Sequence, residues 1–331
     1  MQRREFITLL GGAAALAWPL ATRAQKGERV RRIGVLLPFD DESDPQVRQL
    51  WPVFTQRLPD LGWSEGRNIQ FGVHFTGQNI ERIRSGAAQL VASAPDLIVV
   101  WSNPGAAALK QATQTIPVVF AQVSDPVGEG IVVSLARPGG NITGFQNFET
   151  AIGGKWLELL REIAPGVRRV AVVYNQNIAA NVAFLHTAEA ASALMDIKVT
   201  AIDLHEAAAI EPALTAFARE SNGGLIVSPN PLNTRNPEVL AKLAARLHLP
   251  AIYPFRLFVV SGGLVSYGFD TIEQQQGAAT YVDRVLKGEK PADLPVQAPT
   301  KYQLVINLKA AQALGLDVSL QLQQRADEVI D

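Results

Sequence analysis

The chain has 331 residues, a length typical of about two domains of ordinary size. Apolar residues make up 47% and charged residues 18%, so a sizeable core can form and long disordered stretches are disfavoured. The formal net charge of −1 argues against a nucleic-acid partner, and the absence of cysteine excludes disulfides, thiol catalysis, iron–sulfur clusters and cysteine-bound zinc.

Residues 1–25 have the pattern of an export signal. Arg3-Arg4 precede an apolar stretch over residues 7–20, and small residues lead to a cleavage site near Ala24. The Arg-Arg-x-Phe grouping is typical of twin-arginine signals. The alternatives are a membrane anchor and an ordinary N-terminal helix; against an anchor, about 14 apolar residues fall short of the roughly 18–20 that a span needs. We therefore expect an exported protein located in the periplasm.

The stretch from Asp96 to Gly130 predicts one complete unit of a parallel sheet. An apolar run at residues 97–101 ends in the polar turn Ser102-Asn103-Pro104-Gly105, and an Ala-rich amphipathic segment follows. A second apolar run then ends at the turn Ser124-Asp125-Pro126. In parallel sheets ligands lie beyond the carboxyl ends of the strands, so both turns are candidate binding loops.

Three segments in the first half of the chain have counterparts in the second half. Each pair shares a type of strand: one preceded by two basic residues, one opening into a turn with Asn and Pro, and one entered through proline. The pairs are residues 31–38 and 168–175, 97–100 and 225–228, and 115–120 and 248–253. The shared order predicts two lobes of similar build.

The sequence therefore predicts an α/β fold of two doubly wound parallel-sheet lobes joined by a three-segment hinge. The assignment is residues 30–144 plus 265–290 for the first lobe and residues 145–264 plus 300–325 for the second. The expected crossings are the glycine- or proline-rich links at residues 137–145, 261–263 and 290–300. Glycine absorbs backbone rotation, so these links are candidate hinges, with plain loops as the alternative.

No catalytic motif stands out in the sequence. The Gly-x-Ser-x-Gly elbow and the Walker loop are absent, and His205-Glu206 lacks the second histidine of a zinc-binding helix. The acidic turn Asp40–Asp44 lacks the glycine of a calcium loop, so a helix cap is the better interpretation. A catalytic pair of His74 and Asp125 stays open, although nothing in their spacing supports it. We predict no catalytic residue, no metal and no cofactor.

Three further motifs follow one another along the first half of the chain. They are Ile-Pro-Val-Val-Phe at residues 116–120, Asp-Pro-Val-Gly at 125–128 and Arg-Pro-Gly-Gly-Asn-Ile-Thr-Gly at 137–144. They resemble motifs of ABC-transporter substrate-binding proteins of the tryptophan/tyrosine-binding type. The resemblance implies a type I periplasmic-binding fold, a ligand held between two lobes and delivery to a membrane permease. One departure is the short segment at residues 75–78, where many relatives carry a longer segment containing arginine and alanine.

Candidate ligand contacts of the first lobe lie at two strand ends. Ser102 and Asn103 precede the helix that Pro104 opens, where free N–H groups and the helix dipole favour a carboxylate. Helix capping alone is the alternative for both residues. Ser124 and Asp125 follow the next strand, and Asp125 is a candidate partner for an ammonium group. The alternative for Asp125 is a turn residue before proline.

Candidate contacts of the second lobe come from the equivalent strand ends. They are Tyr174 and Asn175, Pro229 and Asn230, and Tyr253 and Phe255. Aromatic side chains at strand ends can stack on a planar ligand or on a cation. A core position is the alternative for Tyr253 and Phe255. Phe39, at the end of the first strand, is a further aromatic candidate.

The predicted function is capture of a small organic solute by a monomeric periplasmic receptor that delivers it to an ABC permease. The expected solute is an aromatic amino acid or a similar carboxylate, as the resemblance implies. The export signal, the two lobes and the absence of catalytic motifs favour this class. A receptor that feeds a membrane signalling protein is the first alternative, and an exported α/β enzyme is the second.

Overall fold

The computed structural model describes residues 29–299 and 301–331, so the predicted export signal at residues 1–25 lies outside the described chain. The strands are β1 (Arg31–Leu37), β2 (Ile69–Phe75), β3 (Leu97–Trp101), β4 (Val118–Val123), β5 (Ile142–Gln146), β6 (Arg169–Tyr174), β7 (Lys198–Asp203), β8 (Gly223–Val227), β9 (Ala251–Tyr253), β10 (Val265–Phe269), β11 (Tyr302–Asn307) and β12 (Glu328–Ile330). The helices are α1 (Pro45–Asp60), α2 (Ile80–Ala92), α3 (Asn103–Ala112), α4 (Ile152–Ile163), α5 (Ala179–Ser192), α6 (Ile210–Phe217), α7 (Pro231–Arg235), α8 (Pro237–Arg246), α9 (Arg256–Val260), α10 (Thr271–Leu286), α11 (Leu308–Ala313) and α12 (Leu320–Arg325).

The strands form two sheets that repeat one strand order. The first sheet runs β2-β1-β3-β4-β5 and is parallel throughout; the second runs β7-β6-β8-β9-β10-β11-β12. In the second sheet only the described pair β10–β11 is antiparallel. Strands β1, β3 and β4 therefore have β6, β8 and β9 as counterparts, in agreement with the repeated sequence segments. The predicted α/β fold of two lobes is confirmed.

Alternating side chains give the first sheet two apolar faces, each covered by helices. Ile33, Val35 and Leu37 of β1 pack in a core with α1 and α10 on one face. Leu36 and Val100 pack with α2 and α3 on the other. Strands covered on both faces need near-continuous apolar runs, which is what the sequence supplies. Since the faces are covered, the strand ends are the part of the sheet left for binding.

Within the described residues the chain crosses between the lobes three times, and the first two crossings lie later than predicted. They occur at residues 147–151 and at Asp270, and the third lies between Gln297 and Tyr302. The glycine-rich links at residues 137–145 and 261–263 lead instead into β5 and β10. These strands pair with β4 and β9 of their own lobes before the chain leaves.

The pairing of β5 and β10 corrects the predicted lobe boundaries. Residues 265–269 were assigned to the first lobe, but their hydrogen bonds to β9 and β11 place them in the second sheet. Residues 145–146, assigned to the second lobe, belong to β5 of the first sheet. Backbone pairing between distant segments determines which lobe β5 and β10 belong to. A local composition pattern contains no information on such pairing.

Close backbone approach explains one glycine in β5. A Cβ atom on Gly144 would lie 2.0 Å from the carbonyl oxygen of Phe120 and 2.7 Å from its backbone nitrogen. The register of β4 against β5 shifts between Phe120 and Val123, so the strand edge is irregular here. Glycine lets β5 pair with this bulged edge.

Gly144→Ala should lower the free energy of unfolding by about 2 kcal/mol or more, because the added methyl group meets backbone atoms that cannot move aside. Urea unfolding followed by circular dichroism measures this change. The control is Gly72→Ala in β2, where an added Cβ has no atom within 4 Å. The control should change the unfolding free energy by less than about 0.5 kcal/mol. Equal stability of the two variants would contradict the close approach of β4 and β5.

Candidate ligand-binding cleft

A cleft between the lobes is lined by residues at the carboxyl ends of strands from both sheets. It encloses about 460 Å³, including the part that is open to solvent. The first lobe contributes residues that end or follow β1, β3, β4 and β5, and the second lobe contributes residues of the segments after β6, β8 and β9. The crevice beyond the strand ends is where α/β sheets bind ligands.

Most of the predicted site residues line this cleft. In the first lobe they are Phe39, Ser102, Asn103 and Ser124, and in the second lobe they are Pro229, Asn230 and Phe255. All of them are buried in the closed arrangement of the lobes. The structure therefore brings together residues that lie far apart in the sequence, while their contact with a ligand stays a prediction.

Asp125 and Tyr253 lie outside the cleft lining. The Asp125 carboxylate accepts a hydrogen bond from the Gly128 N–H at 3.0 Å, which closes a turn. Tyr253 is 1% exposed and stacks on Phe258 with ring centroids 4.9 Å apart. Burial raises the pKa of the Tyr253 phenol. The structure favours the alternatives for both residues, a turn residue for Asp125 and a core position for Tyr253.

Tyr174 and Asn175, at the end of β6, also lie outside the lining. The Asn175 side chain accepts a hydrogen bond from the Asn177 N–H at 2.9 Å, so it shapes the loop before α5. Burial, and next the carboxylate of Asp203, raise the pKa of the half-buried Tyr174. The loop after β6 therefore contributes Ile178 to the cleft lining, but not the predicted Tyr174 and Asn175.

Asn103 joins the ends of β3 and β4. Its Nδ2 donates to the Ser124 carbonyl oxygen at 2.6 Å, and its Oδ1 accepts from the Ser124 N–H at 3.0 Å. Ser102 Oγ accepts from the Gly105 N–H at 3.2 Å and so caps α3. Because Pro104 has no N–H, little donor capacity remains at this helix end for a carboxylate. Capping thus accounts for the Ser102 side chain.

A network of amides shapes the second-lobe wall. Asn230 Oδ1 accepts from the Asn233 N–H at 2.9 Å, and Asn230 Nδ2 donates to Asn181 Oδ1 at 3.2 Å. Asn181 Nδ2 donates to the Pro229 carbonyl oxygen at 3.0 Å. These bonds hold the loop after β8 against α5. The Asn230 side chain is engaged within the protein. Phe255 and the rings of Pro229 and Pro231 therefore form much of the surface that this wall presents to the cleft.

Gln46, Trp101, Gln122 and Asn147 are among the cleft residues that sequence reasoning did not identify. Gln122 has a φ of +55°, in the left-handed region, at the bulge in β4. Its Oε1 accepts from Gln46 Nε2 at 3.2 Å. No residue pattern marks a bulge at a non-glycine position. The sequence did offer a reason to consider Trp101 as a cleft residue. A tryptophan at the end of an apolar strand has an N–H group that needs a hydrogen-bond acceptor.

Charged side chains lie at the rim of the cleft, and none of its described lining residues is Asp, Glu, Lys, Arg or His. Arg235 of α7 pairs with Asp40 and, at 3.4 Å, with Asp44. Glu129 Oε1 accepts from the Ala180 N–H of α5 at 3.1 Å. Burial raises the pKa of both Asp44 and Glu129. Each contact joins one lobe to the other, so the lobes are closed on the cleft.

Within residues 29–299 and 301–331, no group of three or more His, Asp or Glu side chains could hold a metal ion. The helices of this part of the chain are also too short or too polar to cross a membrane. Helices α1 and α10, for example, have 16 residues each. At 1.5 Å per residue they measure about 24 Å, less than the ~30 Å of a hydrocarbon core.

The fold and the cleft agree with the family to which the sequence belongs. The chain is a member of the ABC transporter substrate binding protein family, whose profile matches residues 42–330. Proteins of this family are solute-binding proteins of the periplasm or cell exterior and are not enzymes. The chain is similar to a tyrosine-binding protein of Clostridioides difficile (strain R20291), with 26% identity over 80% of this chain and 75% of the relative.

Two crystal structures are similar over nearly the whole chain. One is a conserved domain protein from Vibrio cholerae O1 biovar El Tor N16961, with 29% identity and a TM-score of 0.83 over 91% of this chain and 100% of that one. The other is an ABC domain in complex with L-Trp from Streptococcus pneumoniae, with 24% identity and a TM-score of 0.83 over the same shares. The fold that the sequence motifs imply is confirmed.

Asn103→Ala should lower the free energy of unfolding of the ligand-free protein by about 1–3 kcal/mol, because the buried N–H and carbonyl groups of Ser124 lose their partner. Urea unfolding measures the change. Asn177→Ala is the control, since Asn177 is exposed, and it should cost less than about 0.5 kcal/mol. Full stability of the Asn103 variant would show that these bonds do not hold the strand ends.

Arg235→Gln should open the ligand-free protein. Exposed ion pairs contribute about 0.2–1 kcal/mol, so the ratio of closed to open molecules should fall by a factor of roughly 1.4 to 5. Small-angle X-ray scattering would show a larger radius of gyration, with the urea midpoint unchanged. Arg246→Gln is the control, because Arg246 pairs with Glu211 inside the second lobe. The same radius for both variants would mean that the rim pair does not favour closure.

Proposed function

We propose that this protein is a periplasmic receptor that captures an aromatic amino acid, or a similar small carboxylate, between its two lobes. Delivery to an ABC permease of the inner membrane, export by the twin-arginine route and action as a monomer belong to the same proposal. The observation that carries it is the closed cleft, in which aromatic side chains from both lobes lie beside neutral polar groups at the strand ends.

The aromatic walls suit a planar ligand. Phe39 and Trp101 line the first-lobe side and Phe255 the second-lobe side. Phe39 and Trp101 meet edge to face, with centroids 6.5 Å apart and planes at 80°. Aromatic pairs contribute about 0.5–1.5 kcal/mol beyond the area that they bury. A ring held between the lobes contacts both walls only when the cleft is closed, so its binding favours the closed state.

The neutral lining favours a ligand without net charge. Burying an uncompensated ion costs far more free energy than burying an amide or a hydroxyl group. The cleft offers neutral groups such as Gln122, Ser124 and Thr234. An amino acid zwitterion meets these conditions better than an anion or a cation that carries the same ring, so within the proposed class the amino acid is favoured over a simple carboxylate. The names of two related proteins, one tyrosine-binding and one in complex with L-Trp, support the same class of ligand.

L-tyrosine, L-tryptophan or L-phenylalanine should raise the melting temperature and bind in calorimetry. A ligand at 100 times its Kd stabilises the protein by about 2.7 kcal/mol, which shifts the melting temperature by several degrees. Tyramine and 4-hydroxyphenylacetate carry a similar ring with a net charge, and they should bind at least about tenfold more weakly. A flat response to all three amino acids would reject the aromatic assignment without affecting the family membership.

A matched pair of variants tests whether the ligand binds in the cleft. Phe255→Leu should weaken binding of the amino acid that the wild type binds best, because it removes an aromatic wall. Phe217→Leu is the control, since Phe217 is equally buried, at 7% exposed, but lies in the second-lobe core away from the cleft. Affinity loss in the control alone, or in neither variant, would move the binding site elsewhere.

A further inference from the structure

Trp101 combines a place in the cleft wall with an unsatisfied polar atom. The residue ends β3, lines the cleft and is 0% exposed. Its indole nitrogen Nε1 is buried and has no hydrogen-bond partner within the described chain. An indole N–H is a donor only, so no alternative orientation of hydrogen atoms can satisfy it. A buried donor left unpaired lowers stability, which makes such groups rare in proteins.

Other tryptophans of the chain show how this donor is ordinarily satisfied. Trp156 Nε1, equally deep in the second lobe, donates to the carbonyl oxygen of Tyr267 at 2.8 Å. Trp63 Nε1 donates to Asp283 Oδ1 at 2.8 Å. Trp101 differs from these in lining the cleft between the lobes. The unpaired N–H therefore belongs to a residue of the wall against which a ligand would be held.

Two aromatic neighbours of Trp101 offer its N–H no oxygen acceptor. Phe39 and Trp51 pack against it with centroid distances of 6.5 and 6.3 Å, both edge to face. Nearby in the lining, the side-chain nitrogen of Gln122 is likewise buried and unpaired. Gln46 and Gln122 still make one hydrogen bond with each other if the oxygen and nitrogen of both side-chain amides are exchanged. Which atom of Gln122 is unpaired therefore depends on the assigned orientation of its amide, whereas the unpaired N–H of Trp101 does not.

We propose that Trp101 determines ligand specificity by donating its indole N–H to an oxygen atom of the bound solute. The inference rests on the proposed function, in which a small solute occupies the cleft. The solute then has a carboxylate or phenolic oxygen at the Trp101 wall, and a ligand without that oxygen leaves the donor unpaired. Sites built to hydrogen-bond a substrate group discriminate strongly against analogues that lack it.

The test compares Trp101→Phe with Trp156→Phe by calorimetry, using L-tyrosine, L-phenylalanine and tyramine as probes. Trp101→Phe keeps an aromatic ring but removes the donor, so L-tyrosine should bind about tenfold more weakly. L-phenylalanine lacks the phenolic oxygen and tyramine lacks the carboxylate. The probe that lacks the accepting oxygen should bind wild type and Trp101→Phe equally, which identifies that oxygen. Trp156→Phe should leave the affinity for all three within about twofold and lower the melting temperature.

Nuclear magnetic resonance of the indole N–H groups supplies a readout on the wild-type protein. Addition of L-tyrosine should move the Trp101 resonance and leave that of Trp156 in place, because only Trp101 gains a partner. Unchanged affinity of Trp101→Phe for L-tyrosine, or a Trp101 resonance that does not respond to bound L-tyrosine, would overturn the inference.

A separate outcome concerns the proposed function. If the wild type binds none of the three probes, the proposal of an aromatic ligand is rejected. The inference about Trp101 is then tested by the melting temperatures of the two variants without ligand. Trp101→Phe should then lower the melting temperature less than Trp156→Phe, because it deletes a donor that has no partner. An equal or larger loss in Trp101→Phe would show that the N–H is satisfied within the protein and would overturn the inference.

Discussion

One buried side chain, Gln274 near the start of α10, connects the crossings between the lobes to the cleft. Its Nε2 donates to Asn147 Oδ1 at 2.8 Å and lies 3.3 and 3.2 Å from the carbonyl oxygens of Phe145 and Gln146. Its Oε1 accepts from the Gln122 N–H at 3.2 Å. Asn147 and Gln122 both line the cleft. These hydrogen bonds connect two of the crossings to the first-lobe wall of the cleft. A change in the angle between the lobes is therefore expected to alter the positions of Gln122 and Asn147, which line the cleft.

The division between a neutral cleft and a charged rim has a physical reason. A charge inside a closing cleft loses its hydration, and the loss must be offset by a partner. At the rim, Arg235 and Asp40 keep part of their exposure, at 28% and 51% of the side chain, so their contact forms and breaks at little cost. Closure therefore depends on weak contacts at the rim and on the solute itself. Such a balance suits a receptor that must both capture and release.

Two unfavourable features lie in the first-lobe wall. Gln122 adopts a left-handed backbone conformation, which is uncommon for a residue other than glycine. Trp101 buries an N–H without a partner. Strained and unsatisfied groups persist where the surrounding structure holds them, and they cluster at binding sites. The well-packed cores on both faces of the sheet supply the stability that tolerates them.

The sheet framework, the repeat of one strand order in two lobes, and the turns at Ser102 and Ser124 as cleft loops were predictable from the residues alone. Apolar runs, turn residues and proline positions are local properties, so a linear pattern reports them. The positions of the crossings, the core location of Tyr253, and the presence of Trp101 and Gln122 in the cleft lining emerged from the folded chain. Those outcomes depend on which distant segments pair and on which side of a strand end faces the other lobe. Neither is encoded in the residues next to the position concerned.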